Sequence, residues 1–176
     1  VLTVSAITAM AAHYEGKEST ILDMTGLAQK GGAVWSHIKI YEKNVKTFSH
    51  KIAPASANLF LACDAVVGTK PEIQEVLSDK KTYSIINSDT IPVADFVTNR
   101  DLDFKDDEVL KVIDKTTKDI DITVPAIKIA ENLCGDAIAA NIMMLGAAYQ
   151  LGHVPLKEES IKLSLIHISE PTRRIE

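Results

Sequence analysis

Thr25, Gln29 and Lys30 place a hydroxyl, an amide and a cation in one short stretch, interleaved with Gly26, Gly31 and Gly32. Glycine admits positive φ and lets a backbone come close to a ligand, so a loop with these donors can cradle an anionic or polar group. The same composition also serves a turn that only satisfies its own backbone, and a lone glycine-rich loop is weak evidence of binding. Downstream, Val34, Ser36, Ile38 and Ile40 fall on one face of a period-two strand, and Trp35, His37 and Lys39 on the other. Tryptophan beside basic residues makes a good interface anchor; a helix of the same domain packed over that face is the plainer alternative. The covered face is the expectation for Trp35, and His37 is left open. No acidic orienter or nucleophile is recognisable near His37 in sequence, so it is not read as a catalytic base. The candidates for ligand or domain contact are therefore Thr25, Gly26, Gln29, Lys30, Gly31, Gly32, Ser36 and His37, with no catalytic or metal-ligating residue assigned.

Other polar residues read as structural. Asp136 suits the first turn of a helix, where the dipole favours an acid, and Asn141 suits a polar contact between helices. Asp64 follows the apolar run LFLAC and either meets a ligand at the sheet edge or caps a helix. Asn87, Ser88 and Asp89 form a turn by composition and a site only by position. The acidic residues from Asp101 to Glu108 read as a solvated loop and helix start.

The elements that would position these residues alternate along the chain. Periodicity and punctuation give a helix over 3–14, a strand over 19–24, the glycine loop, a strand over 33–41 and a charged connection through Lys51. An apolar strand region follows over 57–67, then a helical turn opened by Pro71, a strand over 82–87 and a helix over 106–117. Residues 122–133 read as helical from about Pro125, and 136–151 as a buried helix between Gly135 and Gly152. Met143, Met144, Leu145, Ala147 and Ala148 make that last helix apolar nearly all round, with Gly146 allowing close approach. This alternation points to a three-layer α/β/α, Rossmann-like domain. Its sheet is expected to be mixed, because residues 20–40 form a hairpin-like pair. Ligands in such sheets sit at strand ends, where the loop from Thr25 to Gly32 lies.

The 176 residues, 46% hydrophobic and 24% charged, suit one globular domain. A net charge of −5 without a clustered basic stretch argues against nucleic acid as a partner. The most apolar segment, 137–151, is interrupted by Asn141 and Gln150 and is too short for a membrane span. Cys63 and Cys134 are too few for a four-cysteine cluster and too far apart for a CxxC site, and their apolar surroundings suit a reducing, cytoplasmic compartment.

TGLAQKGGAVWSH at 25–37 resembles a signature of the gamma domain of 2-oxoacid:ferredoxin oxidoreductases, most closely of the indolepyruvate type. ANLFLACDAVVG at 57–68, INSDTIPVADFVTN at 86–99 and CGDAIAANIMMLGAAYQLGHVPL at 134–156 extend the resemblance in the same order, so it covers residues 1 to about 161. It implies an enzyme that uses thiamine diphosphate with Mg, 4Fe–4S clusters and coenzyme A to decarboxylate a 2-oxoacid, here indolepyruvate or another aryl pyruvate. The product is an acyl-CoA, and the electron acceptor is the iron–sulfur protein ferredoxin. In that family the first helix follows a strand and a GxGGxG-like turn, so the resemblance implies that both are missing here, and the best phosphate-binding loop with them. Gly135, Asp136 and Asn141 superficially resemble the GDG…N pattern of thiamine enzymes, but Ala137 follows Asp136 and Asn141 comes too soon. Catalysis and cofactor binding are thus expected from other domains or subunits, with this domain helping to assemble and close the active site. The fragment alone is expected to be inactive. LSLIHISEPTR at 163–173 departs from the family and looks like a translated sequencing adapter, which would make 1–162 the native domain and 163–176 a non-native tail; the alternative is that residues 163–168 extend a last helix or add a strand. Two other readings remain: a free-standing Rossmann-like nucleotide-binding domain, and a purely structural scaffold.

Overall fold

The computed structural model describes residues 2–25, 32–45, 49–89 and 106–169. They fall into two compact units, one formed by residues 1–24, 35–52 and 154–176, the other by 25–34 and 53–153.

In the first unit, α1 (Leu2–Tyr14) buries Val4, Ser5, Ile7, Thr8, Ala11 and Ala12, one stripe at helical spacing. Thr8 sits in that stripe because its hydroxyl returns a 2.7 Å hydrogen bond to the Val4 carbonyl. The C-terminal helix of the chain, α7 (Glu158–Ser169), packs along α1. The Ser164 hydroxyl, fully buried, donates to the Ile7 carbonyl at 2.8 Å. Glu15, just past α1, accepts from Lys17 Nζ at 3.0 Å and from the Lys157 N–H at the start of α7. Burial opposes ionisation of Glu15, yet these donors outweigh it and hold its carboxyl below the ordinary value. Residues 163–169 therefore continue a helix, one of the two conformations open to them in sequence. β1 (Glu18–Thr25) and β2 (Val34–Tyr41) pair antiparallel as a separate two-stranded sheet instead of joining a mixed one.

In the second unit, β3 (Leu59–Ala62), β4 (Tyr83–Asn87) and β5 (Asp119–Val124) form a parallel sheet in the order β3-β4-β5. Parallel neighbours need crossovers. The first runs through two single turns, α2 (Ala65–Gly68) and α3 (Pro71–Gln74), the second through α4 (Asp106–Thr116). Ala62, Ile86 and Ile113 form a buried cluster with Phe60, Val109, Leu110 and Ile120, which seats α4 on one face of the sheet. Ile85 points to the opposite face and is equally buried, on a sheet that α6 (Ala140–Gln150) meets at β3 and β4. An α/β fold with helices on both sides of a parallel sheet is thus in place.

Three expectations need correction. Asp119–Val124 is a strand that the sequence reading lacks, while α5 (Ala126–Cys134) starts at Pro125 as expected. The ladder shifts between Ser84 and Ile85, so that Ile120 and Ile122 have partners on β4 and Asp121 is the extra residue of a β-bulge. The bulge breaks the inside–outside alternation that identifies a strand. Gly146 is exposed, with nothing within 4 Å of where a Cβ would stand, so it allows no close approach. Met144, Leu145 and Ala148 do form core. The helix over 136–151 opens with a separate 3₁₀ turn, Ala137–Ala139.

Candidate functional site

Of the residues singled out in sequence, Gly26, Gln29, Lys30 and Gly31 lie outside the described residues. Thr25 is exposed at the end of β1, and Gly32 precedes β2. Ser36 and His37 are adjacent on β2 and so face opposite ways. The Ser36 hydroxyl donates to Asp23 Oδ1, which also accepts from Ser5 of α1 at 3.3 Å. Ser36 thus helps to fasten the hairpin to α1.

His37, left open in the sequence reading, is only 3% exposed and more deeply covered than Trp35, which is half-buried. Residues 49–52 run over this face: Lys39 Nζ donates to the Ser49 carbonyl at 2.8 Å, and the Ile52 N–H donates to His37 Nδ1 at 3.4 Å. With Nδ1 accepting, the ring proton belongs on Nε2. Burial, then the charge of Lys51, pulls the His37 pKa below its ordinary value, so the ring is neutral. Among the described residues, His37 Nε2 has no hydrogen-bond partner, nor do the buried Trp35 Nε1 and Thr20 Oγ1.

At the C-terminal ends of the parallel strands, the polar residues hold backbone groups. Asp64 caps α2, its Oδ1 accepting from the N–H groups of Val66 and Val67 at 2.9 and 3.2 Å, so the capping alternative is the one realised. Asn87 is buried and joins three segments: its Nδ2 donates to the Cys63 carbonyl at 3.1 Å, and its Oδ1 accepts from the Ala126 and Asp89 N–H groups at 3.0 and 3.2 Å. Asp89 receives the Ile127 and Lys128 N–H groups of α5 at 2.8 and 3.0 Å. Asp136 Oδ1 accepts from the Ile138 N–H at 2.9 Å, at the start of the 3₁₀ turn rather than within a helical first turn.

The opposite end of the same sheet carries a cluster that sequence spacing does not reveal. Asp121, set in the bulge, lies 2.6 Å from His153 Nε2, and the His153 ring stacks on Tyr83 at 4.5 Å between centroids. The Tyr83 hydroxyl accepts from Lys118 and holds that ammonium above its usual pKa. Tyr83, the Lys118–Asp121 stretch and His153 come from three separate parts of the chain, so no local motif announces the cluster.

Among the described residues, the donor sets do not fit an iron–sulfur cluster or a thiamine diphosphate–metal site. Cys63 is half-buried, with its thiol pushed up by burial, and Cys134 is exposed at the end of α5. No three metal-ligating side chains converge among the described residues. Asp136 is engaged with the backbone beside it. No described helix is long and apolar enough to cross a membrane.

A parallel α/β sheet with polar residues capping its strand ends, plus a separate β-hairpin, defines an α/β domain. Against family models, residues 1–170 match pyruvate ferredoxin/flavodoxin oxidoreductase, and the chain belongs to that family. A comparison with curated proteins finds no match.

Proposed function

We propose that this chain is the gamma domain of a thiamine-dependent 2-oxoacid:ferredoxin oxidoreductase of the indolepyruvate type, and that it completes an active site whose cofactors other domains or subunits hold. The family match along residues 1–170 carries the reading. The engagement of Asp64, Asn87, Asp89 and Asp136 with backbone groups supports a positioning role over chemistry of its own. The contact surface is the loop from Thr25 to Gly32 with Ser36 and His37, the partners are the remaining domains and ferredoxin, and the setting is the cytoplasm. Alanine at Gln29 and Lys30 in the assembled enzyme should lower turnover at least tenfold with assembly intact. Unchanged turnover would leave the domain as a scaffold, the reading that the capped strand ends favour next.

A further inference from the structure

Residues 49–52 form a strap over one face of β2, held at two points: Lys39 Nζ donates to the Ser49 carbonyl, and the Ile52 N–H donates to His37 Nδ1. The second hold works only while Nδ1 offers a lone pair. A protonated imidazole carries an N–H at both nitrogens, so Nδ1–H would confront the Ile52 N–H, donor against donor. Nε2 offers no relief, since among the described residues it has no acceptor. The surrounding charges do not help either. Lys39, two residues along the same face, is already committed to the strap, and Lys51 on the strap is the charge felt at the ring, with the sign that opposes a second proton. His50 is exposed beside it. On β1, Asp23 is bonded to Ser36 and so belongs to the other face. Alternation leaves Glu18 as the acid of β1 on the His37 side. It is exposed at the start of the strand, which antiparallel pairing sets beside the end of β2 and away from His37.

We propose that His37 is an acid-sensitive latch, whose protonation releases the strap over 49–52 and uncovers the side of β2 that carries it. With the strap closed, burial and then Lys51 keep the ring below its ordinary pKa, and release lets that value return toward 6.5. The closed strap therefore has its full stability above pH 6.5 and loosens as pH falls below it, toward the closed-state value. The latch regulates access to the contact surface proposed for His37 and rests on that reading only for its bearing on the enzyme.

Amide hydrogen exchange of the full chain, followed by NMR from about pH 7.5 to about pH 5 and corrected for the intrinsic pH dependence of exchange, reads local opening directly. Protection of the Ile52 amide should fall about threefold or more over that range, while Ala11 and Ala12, in the buried stripe of α1, keep theirs. His37→Gln, whose side-chain carbonyl can accept the Ile52 N–H but does not titrate, should abolish the fall. Lys51→Met, which removes the charge opposing protonation, should shrink it. Unchanged Ile52 protection in the wild type, a parallel loss at Ala11 and Ala12, or an undiminished fall in folded His37→Gln overturns the latch. None of these readings involves turnover, so a pH-independent strap leaves the active-site role standing, and normal turnover in the Gln29 and Lys30 variants leaves the latch standing.

Discussion

Asn87 concentrates the most consequence in one side chain of the second unit. Its amide holds the end of β3 through Cys63 and the start of α5 through Ala126. Asn87→Ala strands those two groups and should cost about 2–6 kcal/mol, at 1–3 kcal/mol for each buried group left unpaired, read as a lower urea midpoint with an unchanged slope. His37 gives a pH signature. Its folded pKa lies below the unfolded value near 6.5, so folding favours the neutral ring; this stability is fully present above 6.5 and is lost as pH falls below it toward the folded pKa. Urea melts of the wild type should weaken over that range, and His37→Phe should remove this part of the pH dependence. The capping potential of Asp64 could be read in sequence, because a cap involves neighbours two or three residues away. The role of Asn87 could not, because its partners lie 24 and 39 residues away.

At the scale of elements, Gly68 is where α2 comes closest to β3. A Cβ there would stand 2.9 Å from Phe60 Cζ, and Phe60 is packed against the cluster that seats α4. Gly68→Ala should therefore destabilise by about 1–3 kcal/mol through overpacking, and a thermal melt unchanged from wild type would show that Phe60 yields freely. Most helices and strands were legible from long apolar runs bounded by glycine or proline, as in the buried stretch of α6, which lies between Gly135 and Gly152. β5 was not, because the bulge at Asp121 leaves Ile122 38% exposed and turns an acid toward His153. Of the candidate contact site, the parity of the β2 side chains was legible. The covering of His37 was not, because it depends on residues 49–52 returning over that face.

For the whole molecule, the family assignment makes apolar surface informative. Leu133 and Ile138, 76% and 74% exposed, flank Gly135 and Asp136 on the second unit. Exposed apolar side chains of this size suit a surface that another domain covers. Leu133→Gln with Ile138→Gln should leave the melt of the isolated chain within about 0.5 kcal/mol, as exposed substitutions do, while weakening its incorporation into the enzyme on gel filtration. The most direct measurement is 2-oxoacid-dependent reduction of ferredoxin by the assembled enzyme containing this chain, with indolepyruvate and pyruvate compared in the presence of coenzyme A. Faster reduction with indolepyruvate, and none without a 2-oxoacid, is the predicted result; no ferredoxin reduction with either substrate would contradict the proposed function.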